Sequence, residues 1–429
     1  MSEETPPTAP EDGGSTPGRL RPEARRLIMM RAARSFGQGA MVVDLALYLA
    51  RLGWSGVMIG GVLTAGGLLA GSLALFVGPA SDRLRRRPFL VGNEILTVLC
   101  GLTAFLTREP MLLVPAIVLA SFGRGANGSA GPFTPAEQAW LALLVPPQDR
   151  GRVYSLNVAV GFFGMGTGAL LAALPGLVPD PLLGYRLLFL VPAFGSAFNL
   201  FLLARTHEPS RSRIRRERAE RARREPPHSK RARVRRRREN RHLARLVALN
   251  AVNGFAIGLI GPLMPYWFHL RFGVGPAAIA PAMAVVFAIT AVASLLAGRL
   301  SARIGLVNSV VRLRIIGFVL LLLLPLVPWY SLAAVIYILR SAANRSSVGA
   351  RQAVVVSLVD DERRGFAVSL NAASFVIPQA LGPTLGGYFL DAGLLVLPFY
   401  IAALLQGSYI WGYWRAFRRL EAQTASATT

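Results

Sequence analysis

Five side chains sit where an apolar chain offers them few partners: Asp44, Arg124, Asn127, Arg340 and Asn344. Asp44 shares a helical face with Gly37, Met41 and Tyr48. Arg124, Asn127, Gly128 and Gly131 follow at i, i+3, i+4 and i+7, again one face, and Arg340, Asn344 and Ser347 repeat the arrangement later. Buried charge is expensive, so such groups are functional by default. The chemistry they offer is simple. A carboxylate can take up and release a proton, and a guanidinium can hold a ligand or brace backbone carbonyls. Two plainer readings stay open, a fixed ion pair between Asp44 and an arginine and a purely structural tether at Arg124. Glu94 is a further acid, placed either to pair with Arg124 or to reach the surface.

The elements that carry these residues are apolar runs of about twenty residues, enough to cross a ~30 Å hydrocarbon layer. The chain has 429 residues, 53% hydrophobic and only 16% charged, with mean hydropathy +0.45. Nothing alternates with period two, so strands are excluded. The reading is an all-α membrane protein with twelve transmembrane helices. They fall at roughly 34–52, 56–77, 89–107, 111–133, 153–174 and 185–204, then 246–268, 276–298, 310–329, 331–350, 366–389 and 394–414. Asp44 is ten residues past Arg34, roughly 15 Å deep at the helical rise.

The net charge of +25 lies almost wholly between these runs. Arg25, Arg26 and Arg31 precede the first span, Arg150 and Arg152 follow the fourth, and Arg299, Arg303, Arg312 and Arg314 were assigned to the same side. By the positive-inside rule both termini and the 205–245 linker are cytoplasmic. The domains expected are a disordered tail (1–33), two six-helix bundles (34–204 and 246–414), the basic linker between them and a short tail (415–429). The linker is a topology determinant that also suits anionic lipid; without interleaved aromatic residues it does not suit nucleic acid. Cys100 is the single cysteine and no metal-ligand spacing appears, so no disulfide, metal or cofactor is expected.

The bundles repeat each other. Arg150-Gly151 and Arg364-Gly365 are each followed by Ser-Leu-Asn at an offset of 214, which also relates Gln138-Ala139 to Gln352-Ala353. Arg51-Leu52-Gly53 and Arg271-Phe272-Gly273 match at an offset of 220. Between spans two and three the chain reads Gly78-Pro79-Ala80-Ser81-Asp82-Arg83-Leu84-Arg85-Arg86-Arg87. This resembles the Gly-x-x-x-Asp-Arg-x-Gly-Arg-Arg signature of the major facilitator superfamily at Gly78, Asp82, Arg83, Arg86 and Arg87, with Arg85 in place of glycine. A worn copy in the second half keeps Gly298, Arg303 and Gly305, with Ala302 for the aspartate. The resemblance implies a gating role for these residues. It also implies an acid near the end of span four, where Leu143 stands and where Glu137 or Asp149 would substitute. Span four is similar to the family's Arg-x-x-Gln-Gly motif, with Asn127 for glutamine. Gly382-Pro383-Thr384-Leu385-Gly386-Gly387 resembles the family's antiporter motif, but lies in span eleven and not in span five, and reads first as helix packing.

The expected activity is secondary transport of a small molecule by alternating access, proton-coupled through Asp44 and directed outward, in a monomer of the plasma membrane. Tyr48, Arg124, Asn127, Arg340 and Asn344 would join Asp44 in the cavity. Uptake of a metabolite is the near alternative, and a membrane scaffold or sensor the alternative from another class. No nucleotide-binding loop and no nucleophile–base pair supports an enzyme.

Overall fold

The computed structural model describes residues 20–83, 86–123, 134–145, 149–206, 230–358 and 364–425. Almost all of them are helical. The first half holds α1 (Pro22–Arg51), α2 (Gly56–Arg83), α3 (Arg86–Leu106), α4 (Pro110–Ala120), α5 (Thr134–Leu144), α6 (Arg150–Leu170), α7 (Pro181–Leu188) and α8 (Leu190–Ala204). The second holds α9 (Lys230–Ile260), α10 (Met264–Phe272), α11 (Pro276–Ile304), α12 (Leu306–Leu323), α13 (Tyr330–Ser357), α14 (Arg364–Asp391) and α15 (Leu397–Ala425). Helical segments fall on each of the expected spans. α7 and α8 share span six and α9 with α10 shares span seven, while α4 lies in span four and α5 begins at Thr134, past that span's expected end at 133. Seven stretches among the described residues are long and apolar enough to cross a membrane on hydropathy alone. Spans one and ten fall below that threshold because they carry interior charge, Arg34 and Asp44 in one and Arg340 and Arg345 in the other.

Local chemistry sets the helix ends. Pro22, Pro110, Pro181 and Pro276 open helices, where a missing N–H costs nothing. Gly53 and Gly273 close α1 and α10 with φ of +86° and +65°, a region that L side chains avoid. The Arg-x-Gly repeat is therefore a shared helix stop. Two further boundaries differ from expectation. α1 begins at Pro22, so the last part of the 1–33 tail is helical. α9 begins at Lys230, inside the basic linker, because arginine is a strong helix former.

α1 packs along α6 and α8, and α9 along α14 and α15, the same arrangement in each half. The halves meet chiefly along two seams, α2 on α14 and α6 on α11. Small residues permit the close approach. A Cβ on Gly60 would overlap the Pro383 carbonyl, and one on Gly387 would overlap the backbone of Gly56. On its other face α14 sets Gly382 against Gly258 and Gly386 against Leu259 of α9. The Gly-Pro-Thr-Leu-Gly-Gly stretch thus packs within its own half and across to the other.

Candidate functional site

The strongest electrostatic feature of the first half is a buried ionic cluster. Arg34 of α1 donates from Nη2 and Nε to Glu94 Oε1 of α3, at 2.6 and 3.1 Å, and from Nη1 to Glu137 Oε2 of α5, at 2.5 Å. Glu94 is fully buried, with Arg34 and Glu137 nearly so. Arg31, one turn earlier, is also buried and close enough to Glu137 to interact with it. Gly161 of α6 leaves room for its guanidinium, which a Cβ there would overlap. Two arginines and two carboxylates together leave this interior near neutrality.

This arrangement differs from the sequence reading in three ways. Glu94 does not reach the surface but pairs with Arg34, while Arg124 lies outside the described residues. Glu137, expected as a substitute acid near the end of span four, is buried and pairs with Arg34. Arg34 itself was used only as a marker of depth. Two acids in apolar spans demand a counter-charge, and that was the signal available for finding it.

Asp44 is almost fully buried in α1, and neither carboxylate oxygen has a hydrogen-bond partner among the described residues. It makes no ion pair there. Its surroundings are aromatic: Tyr48 lies 5.8 Å from Tyr185 and 5.6 Å from Phe189, ring centre to ring centre, and Asp44 is close enough to Tyr185 to interact electrostatically. Arg124 and Asn127 lie outside the described residues, as do the side chains of Gly78, Asp82, Arg83 and Arg303. Of the gating loop, Arg86 is buried and Arg87 Nη2 donates to the Ala204 carbonyl at 3.3 Å.

The second half has a different electrostatic content. Arg340 and Asn344 of α13 are buried, with Asn344 set against Gly317 of α12. Beside them stand three more arginines: Arg314, expected at the start of its span on the basic side, and Arg345 and Arg351, for which no role is expected from sequence. Arg314 donates from Nε to Ser347 Oγ at 3.2 Å and from Nη1 to Asn253 Oδ1 at 3.3 Å, and it faces the Tyr409 ring. Arg345 lies 5.2 Å from the Phe287 ring of α11 and 5.5 Å from the Phe162 ring of α6, so it bridges the two halves. Arg351 lies over Phe375.

One end of the α2–α14 seam is latched. The Asp391 carboxylate accepts from the Gly56 and Val57 amides, at 2.5 and 2.8 Å, and so caps a helix of the opposite half. Two turns deeper, Thr384 Oγ1 donates to Thr64 Oγ1 at 2.8 Å.

Comparison with known proteins agrees with this architecture. The chain is 31% identical over 156 residues to the multidrug resistance protein MdtH of Cronobacter sakazakii, a match covering 33% of this chain and 37% of that protein. It is 29% identical over 126 residues to MdtH of Proteus mirabilis, covering 29% of this chain and 30% of that one. The chain thus matches about a third of the length of these curated relatives. Among solved structures it resembles the nucleoside transporter NupG (TM-score 0.68, 14% identity, 92% of this chain and 99% of that one). It also resembles a bacterial homologue of the lysosomal transporter Spinster, in an inward-facing occupied conformation (TM-score 0.68, 18% identity, 93% and 98%). At such identities the likeness shows the fold. The family profile described as Major Facilitator Superfamily matches residues 27–249 and again 246–428. With both halves matched, the chain belongs to the major facilitator superfamily.

Proposed function

We propose that the chain is a secondary transporter that moves a small molecule outward across the plasma membrane by alternating access, driven by the proton gradient. The observation that carries this is the pair of seams between two alike halves, lined by small residues and latched at one end by Asp391. A seam of that kind can open and close as a unit. The interior charges count against a scaffold, which has no need to bury Asp44 or Arg340. The multidrug-resistance naming of the MdtH relatives supports outward movement of small compounds.

In this reading twelve spans cross the membrane, both termini and the basic linker are cytoplasmic, and the linker lies against anionic lipid. Asp44, with Tyr48 beside it, carries the coupled proton. Arg124, Asn127, Arg340 and Asn344 serve the cavity, and Asp82 with Arg83 serves the inner gate. The working unit is a monomer without a cofactor.

The test is flux in proteoliposomes with and without an imposed pH gradient, across a panel of labelled small compounds. At least one compound should move against its own gradient and stop when a protonophore is added. Movement that ignores the proton gradient would remove the coupling, and no movement of any compound would remove the transporter reading.

A further inference from the structure

The two halves place opposite charge at equivalent positions. Gly39 packs on Met165 in the first half as Gly258 packs on Gln379 in the second, which aligns α1 with α9 at an offset of 219 and α6 with α14 at 214. At these offsets Arg34 corresponds to Asn253 and Glu137 to Arg351. Glu94 corresponds to Arg314, at 220. The contacts correspond too, since Arg34 bonds Glu94 and Arg314 bonds Asn253. The first half therefore reads positive, negative, negative at three buried places, and the second reads neutral, positive, positive.

Among the described residues, no carboxylate forms an ion pair with Arg314, Arg340, Arg345 or Arg351. From Leu246 to Val359 the sequence contains no Asp or Glu, and none recurs from Gly365 to Leu390. Asp360, Asp361 and Glu362 lie outside the described residues. Arg340 and Arg345 interact with one another, and Arg340 with Arg314. Arg340 Nε and Arg345 Nη1 are buried without a hydrogen-bond partner among the described residues. A buried cation is tolerated when something pairs with it. The first half supplies carboxylates for this purpose, but the second leaves the place open, and Arg345 stands where both halves meet.

We propose that the transported molecule is an anion, an aromatic or apolar body bearing a carboxylate or phosphate, which Arg340 and Arg345 hold at the junction of the halves. The proposal rests on the transport reading and supplies its substrate class. Phe162 and Phe287, already facing Arg345, are placed to take the apolar body, and a guanidinium fork suits either anionic group.

Binding can be read without transport. The purified full-length protein is melted in detergent with benzoate, 1-naphthoate or phenyl phosphate, with benzamide and benzylamine as neutral and cationic matches, and with chloride at equal ionic strength. At least one organic anion should raise the melting temperature well beyond chloride, and the neutral and cationic compounds should not. Arg345→Gln should weaken that anion's half-saturation about tenfold or more, the scale of a lost charged hydrogen bond, and Arg345→Lys should recover part of it. Arg340→Gln gives a second, independent reading of the same loss. A shift from chloride alone, equal shifts from benzamide or benzylamine, no shift from any of the three anions, or variants that bind as tightly as the parent would each overturn the proposal. Anion-selective melting with no flux of any compound in proteoliposomes would overturn the transport reading and leave the site standing. Flux of neutral or cationic compounds without an anion preference would do the reverse.

Discussion

A carboxylate or guanidinium inside a bundle is tolerable only with a counter-charge in reach, and removing one member of a buried pair typically costs about 3–5 kcal/mol. The Arg34 cluster gives this a graded test. Arg34→Gln should lower the thermal stability of the detergent-solubilised protein most, because it strands Glu94 and Glu137 together. Glu137→Gln should cost less, since Arg34 keeps its two bonds to Glu94. Equal melting temperatures for the two variants would show that the cluster does not act as a unit. Asp44 is a different case, because it has no partner among the described residues to lose. If it carries the coupled proton, Asp44→Asn should abolish accumulation driven by a pH gradient while sparing downhill exchange. Accumulation that survives with normal pH dependence would move the coupling site elsewhere. Asp44 and Arg340 were legible in the sequence because each interrupts an apolar run. Arg31, Arg34 and Arg314 were not, because each lies close to the end of a run, where a loop arginine and a buried one look alike in sequence.

Helices were legible wherever punctuation was strong, as at Pro22, Pro110, Gly53 and Gly273, while the helical start of α9 was hidden by the basic composition of the linker. Which helices touch across the halves could not be read, since a glycine in a span does not name its partner. The structure supplies the partner: α14 meets α2 through Gly387 and Pro383, with Asp391 capping Gly56 and Val57. A cap of this kind contributes roughly 0.5–2 kcal/mol, here to the closed seam and not to one helix. Asp391→Ala should therefore shift the protein toward the state open at this end. Thiol labelling of Thr64→Cys in a Cys100→Ser background reads it directly, because Thr64 is hydrogen-bonded across the seam. The labelling rate should rise severalfold, and an unchanged rate would leave the cap without a gating role. Gly60→Leu acts in the same direction by another route, as its side chain has no space against Pro383 when the seam is closed.

At the scale of the whole molecule the halves share a frame but divide the electrostatics. Among the described residues the first half pairs Arg34 with Glu94 and Glu137, whereas Arg314, Arg340 and Arg345 of the second half form no ion pair. A repeat detected by matching residues reports the frame and misses this division, because Glu94 and Arg314 do not look alike in an alignment even though they occupy one place. Orientation is the remaining property of the whole. In the proposed topology the arginines on one side of nearly every span, together with the basic start of α9, place both termini and the linker in the cytoplasm, where each arginine near anionic lipid would contribute roughly 1 kcal/mol. Epitope tags inserted at positions 220 and 425 should be protected from a protease added to intact cells and cut once the membrane is permeabilised. Cleavage of either tag from outside would invert the molecule, and the consequence would extend beyond topology. With the termini inside, the loop between α1 and α2 and the end of α14 face outward, so the Asp391 cap closes the outer end. With the termini outside, the same cap would be the inner gate, and Asp391→Ala would slow outward labelling of Thr64→Cys instead of speeding it. The tag experiment and the cap experiment therefore check each other: protected tags require faster outward labelling, and exposed tags require slower.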